Sequence, residues 1–355
     1  MYEPSFTLNN KILKSIGVIE AARAVILNSP LVPSWEAKFR EDALVRSTHH
    51  GTHIEGNALN LEQADAVLKG KQVIARDRDI QEVINFRNVL GYLDQLAEAT
   101  GDLCYCENVL KEIHRLTTDK IMPIEKSGSY RKAQVVIRNS LTGEISFRPP
   151  PAVEVPYLMG GFFEWLKKTT ADDLHPVLKA GITQYEIVRV HPFIDGNGRV
   201  ARAFATLVLF KDQYDIKRFF SLEEYYDYNA SDYYRALQAV SGGRMSGKYD
   251  LTPWLEYFSL GLASEFEKVK KKVQRLSTDV HIKEQMGGKQ IYLSERQITI
   301  VEYIQKTGFL QNKTFIELFP KVSEDTILRD LKDLMNKGII KKTGKTKAAQ
   351  YVLKK

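Results

Sequence analysis

Residues 191–202 read His-Pro-Phe-Ile-Asp-Gly-Asn-Gly-Arg-Val-Ala-Arg, and the fold is worked out from this stretch. Gly196-Asn197-Gly198 is a turn with two residues that lack a Cβ, so its backbone N–H groups can approach an anion closely. Val200, Ala203, Phe204, Leu207 and Val208 then recur at helical spacing, so the turn opens a helix. A helix N-terminus already favours negative charge. Arg199 and Arg202 stand at i and i+3 on one face of the first turn, where both guanidiniums can reach one anion. Two arginines on one anion site suit a polyphosphate. His191, just ahead of the loop, titrates near neutral pH. Asp195 is a hard oxygen ligand suited to the Mg²⁺ that accompanies nucleotide phosphates.

At every specified position this stretch resembles the signature of the Fic family, His-Pro-Phe-x-(Asp/Glu)-Gly-Asn-Gly-Arg-x-x-Arg. The resemblance implies a protein adenylyltransferase, which moves AMP from ATP to a Ser, Thr or Tyr hydroxyl of a target protein and releases pyrophosphate. It implies His191 as general base and Asp195 as the Mg²⁺ ligand at the α- and β-phosphates. The backbone of Gly196, Asn197 and Gly198, with the Asn197 side chain, would form the anion hole. Arg199 would meet the β-phosphate region and Arg202 the γ-phosphate. The chemistry agrees independently, because phosphoryl-type transfer needs positioning, charge stabilisation and one base.

Three further segments extend the resemblance. Residues 47–57 read Ser-Thr-His-His-Gly-Thr-His-Ile-Glu-Gly-Asn and are similar to the family's inhibitory motif, (Ser/Thr)-x-x-x-Glu-(Gly/Asn). Glu55 would pair with Arg202 and occupy the guanidinium that the γ-phosphate needs, a simple off-switch. The departure is Gly51, which stands at the Ser/Thr position; Ser47 and Thr52 are out of register. Gln134–Arg138 and Glu144–Phe147 are short β-rich runs around the turn 139–143, which predicts a hairpin. In the family such a hairpin is a flap that aligns the target segment by strand addition. Ser221–Leu237 is rich in tyrosine, and the resemblance implies adenine contacts there, with Tyr225, Asn229 and Tyr234 as candidates. Tyrosines at helical spacing equally suit half-buried packing.

The length of 355 residues predicts two or three domains. Apolar content of 43% and charged content of 27% describe an ordinary soluble protein. No apolar run approaches the roughly 18 residues of a membrane span. Residues 1–13 lack a continuous apolar segment of the signal-peptide kind. Cys104 and Cys106 are too close in sequence to pair readily, and no Cys/His set has zinc-motif spacing, so a reducing cytoplasmic setting is expected. The net charge of +7 is uneven: from Lys321 to Lys355 ten Lys/Arg face four Asp/Glu.

Along the chain, residues 1–95 predict an N-terminal helical region carrying the inhibitory-like motif: Ile16–Leu27, Ser34–Thr48, Leu61–Leu68 and Asp79–Ala97. Residues 96–262 predict the Fic-type catalytic core and 263–288 a charged linker helix that breaks at Gly287-Gly288. In residues 289–355, Ser294 caps a helix over Leu293–Thr307, a short element covers Lys313–Leu318, and Ser323 caps a helix over Glu324–Lys337 that Gly338 stops. A hairpin from Ile339–Lys342 and Gln350–Leu353 completes a winged-helix pattern, with the third helix as reader and the Lys345–Lys347 turn as wing. Asp325, Asp330 and Asp333 on that helix oppose phosphate, so a protein-interaction or dimerisation role stands beside DNA binding.

The expected fold is mainly α: a Fic-type helical core with a β-hairpin flap, an N-terminal helical region and a C-terminal winged helix. The expected activity uses Mg-ATP and is autoinhibited by Glu55. Its partners would be a target protein with a hydroxyl side chain, this chain itself included, DNA through the winged helix, and a second copy in a homodimer, with no membrane. Two rivals remain: a nucleotide-sensing DNA-binding regulator, and an enzyme that removes AMP with Glu55 activating water.

Overall fold

The computed structural model describes residues 2–29, 31, 33–99, 105–138, 145–242, 249–285, 293–311, 314–320, 322–344 and 349–354. Cys104, the predicted hairpin turn 139–143, the Gly287-Gly288 break and the Lys345–Lys347 wing turn lie outside them. The chain forms two compact units: residues 1–28 with 32–271, and 29–31 with 272–355.

The first unit is helical. It runs through α1 (Asn10–Asn28), α2 (Pro33–His53), α3 (Leu61–Leu68), α4 (Asp77–Glu98), α5 (Glu107–Thr117), α6 (Val155–Lys168), α7 (Pro176–Val190), α8 (Asn197–Lys211), α9 (Leu222–Tyr228), α10 (Ala230–Gln238) and the first part of α11 (Thr252–Gln285). Sequence signals place several of these. Asn9 Oδ1 accepts from the N–H groups of Lys11 and Ile12, both at 3.1 Å, and so opens α1. Asn60 and Gln63 form a reciprocal capping box at the start of α3. Helix α8 is buried from Val200 to Leu209 on every face, which is why its sequence is apolar nearly all round. It packs beside α7, which is almost as fully buried. Phe162, Phe193, Phe204, Trp254 and Phe258 fill the surrounding core. The charged segment predicted as a separate linker continues α11, which starts at Thr252 without a break at 263.

Two short antiparallel pairs decorate this unit. Strand β1 (Ile137–Arg138) pairs with β2 (Ile145–Phe147), aligning Ile137 with Phe147 and Arg138 with Ile145. This is the predicted flap, with shorter strands. Strands β3 (Ser241–Gly242) and β4 (Tyr249–Asp250) also pair, and two residues each are too few for an alternating pattern to announce them.

The second unit is a winged helix. It contains α12 (Glu295–Thr307), β5 (Leu310–Gln311), α13 (Phe315–Leu318), α14 (Glu324–Asn336), β6 (Ile340–Thr343) and β7 (Gln350–Leu353). The strands form an antiparallel sheet in the order β5-β7-β6. Ile300, Ile304, Leu310, Phe315, Leu331, Leu334 and Tyr351 make its own apolar core. Ser294 caps α12 with Gln297, as its sequence predicts, and Gly308 ends it at φ 85°. Two of the three aspartates on α14 are already engaged: Asp330 by Arg296 at 2.7 Å, and Asp333 by Lys337 and Gln297. Among the described residues, no helix is long and apolar enough to cross a membrane.

Candidate active site

Helix α7 ends at His191, which adopts the left-handed conformation at φ 52°, ψ 58°. A non-glycine residue there carries strain and needs support from its surroundings. Its N–H donates to Ile187 O at 3.0 Å, and its carbonyl accepts from Arg131 Nε at 2.8 Å. The ring is held as well. Nδ1 lies 3.2 Å from Val188 O, and since a carbonyl can only accept, Nδ1 carries the proton and the Nε2 lone pair is left to act as a base. Burial pushes the His191 pKa below the ordinary 6.5, helped by the Arg131 charge and opposed by the Val188 carbonyl, Glu55 and Asp195.

The loop between α7 and α8 is braced from inside. Gly196 sits at φ 77°, so no side chain fits there without strain. Asn197 Oδ1 accepts from Phe193 N and its Nδ2 donates to Phe193 O, both at 2.9 Å. The Asn197 side chain thus ties the loop, and its second Nδ2–H and its backbone N–H stay available to an anion. His114 on α5 does similar work. Its Nδ1 accepts from Gly128 N at 2.8 Å, so its Nε2–H donates to Asp195 O at 3.1 Å. Its ring stacks on Phe193 at 3.9 Å, and burial lowers its pKa to about 4. Arg131 also donates to Pro150 O at 2.6 Å, joining the flap's exit to the His191 turn.

Asp195 is half-exposed. Its Oδ1 accepts from Gly196 N at 2.6 Å, and its Oδ2 lies 3.1 Å from Arg78 Nη2. Burial alone would raise its pKa, but Arg199, the Gly196 N–H and Arg78 outweigh that and hold it below the carboxylate range. Arg199 is buried; its Nη1 is 3.2 Å from Glu82 Oε1, and its Nε has no hydrogen-bond partner among the described residues. Arg202 is 2% exposed, and its Nε and Nη1 likewise have no hydrogen-bond partner among the described residues. Buried guanidinium N–H groups left open this way call for an acceptor. They fit a bound phosphate, and the single Asp195 carboxylate fits a Mg²⁺ shared with phosphates.

Glu55 lies just past the end of α2. Its Oε1 is 2.9 Å from Arg202 Nη2, and the same nitrogen donates to Gly51 O at 3.0 Å. A Cβ on Gly198 would collide with the Glu55 carboxylate and lie 3.2 Å from Arg202 Nη1, so glycine is required for this approach. Glu55 therefore covers the loop backbone and Arg202 together. Burial works against the Arg202 charge, yet Glu55 with Tyr233 and Tyr234 outweighs it and the guanidinium is held above its ordinary pKa. Gly51 has a packing reason: a Cβ there would lie 2.7 Å from Phe86 Cε1.

The tyrosine-rich segment divides. Tyr234 OH donates to Ile54 O at 3.3 Å, beside Glu55. Tyr225 packs instead on Tyr257 of α11 and against Gly261. Asn229 caps α10, accepting from Asp232 N and Ser231 Oγ. Tyr234 thus adjoins the Glu55–Arg202 pair. The buried partners near Arg202 that the sequence left unmarked are Tyr233 and Gln184, joined at 3.4 Å. Arg78, Glu82 and His114 were missed as well, because single residues far apart in sequence carry no local spacing signal.

The Fic/DOC family model matches residues 104–209, and a model described as a DeoR-like helix-turn-helix domain matches residues 296–344. Among curated proteins, the chain is similar to "Protein adenylyltransferase Fic" of Nematostella vectensis, 28% identical over 192 residues, which is 53% of this chain and 43% of that protein. It is also similar to the protein of the same name from Aedes aegypti, 28% identical over 192 residues and 37% of that protein. The matches thus span about two fifths of those relatives. A solved Fic family protein from Desulfovibrio desulfuricans G20 shares the fold at TM-score 0.65 and 24% identity, covering 99% of this chain and 98% of that one. A Fic domain containing signaling protein from Bacteroides thetaiotaomicron does so at TM-score 0.61 and 22% identity, over 75% of this chain and 97% of its own.

Proposed function

This chain carries a Fic domain, and from that premise we propose that it is an autoinhibited protein adenylyltransferase using Mg-ATP. The target's Ser, Thr or Tyr oxygen attacks the α-phosphorus of ATP. The bond from that phosphorus to the bridging oxygen breaks, pyrophosphate leaves, and the hydroxyl proton passes to His191 Nε2. His191 is suited to this because its Nδ1 is committed to Val188 O and burial keeps the ring neutral near pH 7. The backbone of residues 196–198 and the open N–H groups of Arg199 and Arg202 receive the phosphates. Asp195 would hold Mg²⁺, which when bound neutralises polyphosphate charge; Arg78 must then release that carboxylate. The flap pair would align the target segment through backbone hydrogen bonds, and Tyr225, Asn229 and Tyr234 are the candidates to meet the adenine. The winged helix is a candidate DNA contact.

One observation carries this reading: an oriented base stands at a loop behind which two buried arginines keep N–H groups without a hydrogen-bond partner among the described residues. The brake rests on the 2.9 Å Glu55–Arg202 pair, which denies the γ-phosphate a charge-assisted partner. Removing it should return on the order of 1.5–3 kcal/mol, or about ten- to a hundred-fold in productive ATP binding. The test is intact mass of wild type and Glu55→Gly after incubation with Mg-ATP, with and without candidate targets. Glu55→Gly should gain AMP well above wild type. Equal gain would mean Glu55 is no brake. AMP removal that is lost in Glu55→Gly would favour the water-activating role instead. ATP binding without any transfer in either protein would favour the nucleotide-sensing regulator.

A further inference from the structure

The last turn of α2 carries His49, His50 and His53, and the transfer reaction uses none of them. Facing them across a helix interface is Asp227 of α9, its side chain 8% exposed. His50 Nδ1 lies 2.7 Å from Asp227 Oδ2, and His53 Nδ1 lies 2.8 Å from Asp227 Oδ1. One ligand atom from each of His49, His50 and Asp227 falls within 4.8 Å of the others. The His49 ring centroid is 4.6 Å from that of His50 and 5.3 Å from that of His53. His49 itself is 8% exposed, and its Nδ1 has no hydrogen-bond partner among the described residues.

A buried imidazole nitrogen without a partner is costly, and a carboxylate as buried as Asp227 calls for a cation. A metal ion resolves both conditions at once. His49 and His53 are four apart, so they share one face of α2, and Asp227 supplies a carboxylate from the opposite helix. Two imidazoles and one carboxylate, with a fourth position for water, suit zinc and its transition-metal neighbours; Mg²⁺ and Ca²⁺ favour oxygen throughout. The His-His pair gave no zinc motif because the carboxylate donor lies 177 residues beyond His50.

We propose that His49, His50 and Asp227 bind one divalent metal of the zinc class, with His53 orienting the Asp227 carboxylate, clamping the end of α2 to α9. Glu55 follows that turn by two residues, and the Tyr234 hydroxyl already ties Ile54 at 3.3 Å, so the metal would add a second tie to the segment that meets Arg202.

The test uses the full chain, stripped with a chelator and titrated with ZnCl₂ alone, read by native mass spectrometry and calorimetry. One Zn²⁺ per chain is expected, with a rise in melting temperature that MgCl₂ does not reproduce. Co²⁺ in its place should give the visible absorption of a tetrahedral site. His53→Gln alters the exposed member and spares the core; it should weaken zinc on the order of tenfold or more, as should Asp227→Asn. His49→Ala should do the same, and if it fails to fold, the other two variants still decide. No stoichiometric zinc, or zinc affinity unchanged in His53→Gln and Asp227→Asn, would overturn the site.

Discussion

His191 and His114 are both neutral by burial, with different consequences. The His191 pKa is lowered, chiefly by desolvation, so the base form persists below the ordinary 6.5. The acid limb of kcat/KM against pH for Glu55→Gly should therefore have its midpoint below 6.5, and His191→Ala should abolish transfer while ATP still binds. A limb at or above 6.5, or transfer surviving in His191→Ala, would remove the proposed base. His114 acts on stability. Its folded pKa is about 4 against an ordinary 6.5. As pH falls through that window the unfolded chain takes up the proton first, so stability is full above 6.5 and declines toward pH 4. The slope from this one group is about 1.4 kcal/mol per pH unit. Urea midpoints measured from pH 7 to 4 should fall less steeply in His114→Gln than in wild type.

Among the elements, α2 departs most informatively from the inhibitory motif it resembles. Restoring the usual residue with Gly51→Ser would appear to repair the inhibitory motif. Its Cβ, however, would meet Phe86 at 2.7 and 2.9 Å, and Phe86 is 1% exposed with nowhere to retreat. Overpacking of this kind costs about 1–3 kcal/mol. Gly51→Ser should lower the urea midpoint, and Phe86→Leu in the same chain should recover part of the loss. The helix is held by other means: Arg202 donates to the Gly51 carbonyl at 3.0 Å, and Arg46 reaches Glu224 of α9. Asn57, just beyond Glu55, donates to Asp79 O and Glu82 Oε2, both at 3.0 Å. A one-residue mismatch to a motif is thus compensated by contacts that no motif records.

At the scale of the whole chain, the winged helix has its own core, and every proposed catalytic group lies in the first unit. Deleting residues 289–355 from Glu55→Gly should leave AMP transfer in place, as read by intact mass. Any DNA binding should disappear with the deletion and in the full chain should weaken steeply with salt, because phosphate contacts release counterions. Arg329 and Lys332 of α14 are the cations to test, since Asp330 and Asp333 are held by Arg296 and Lys337. Binding insensitive to salt would point to a protein partner.

Sequence alone determined what depends on neighbours along the chain. The 191–202 stretch specifies a turn, a helix start and two arginines on one face, and these arise from i, i+3 and i+4 spacing wherever the segment is placed. Caps at Asn60 and Ser294 and the winged-helix order are local in the same sense. The Glu55–Arg202 pair was legible only through a known motif, since Glu55 follows α2 while Arg202 lies on α8. Tertiary structure decided the rest. It turned Tyr225 toward α11, made Asn229 a cap and Asn197 a brace, and set His114, Arg131 and Arg78 around the loop. It also brought Asp227 to His50 and His53, beside His49. These roles depend on which helix faces which, and that is set by burying the surfaces of α7 and α8, a sum over many weak apolar contacts in which no single residue announces its partner.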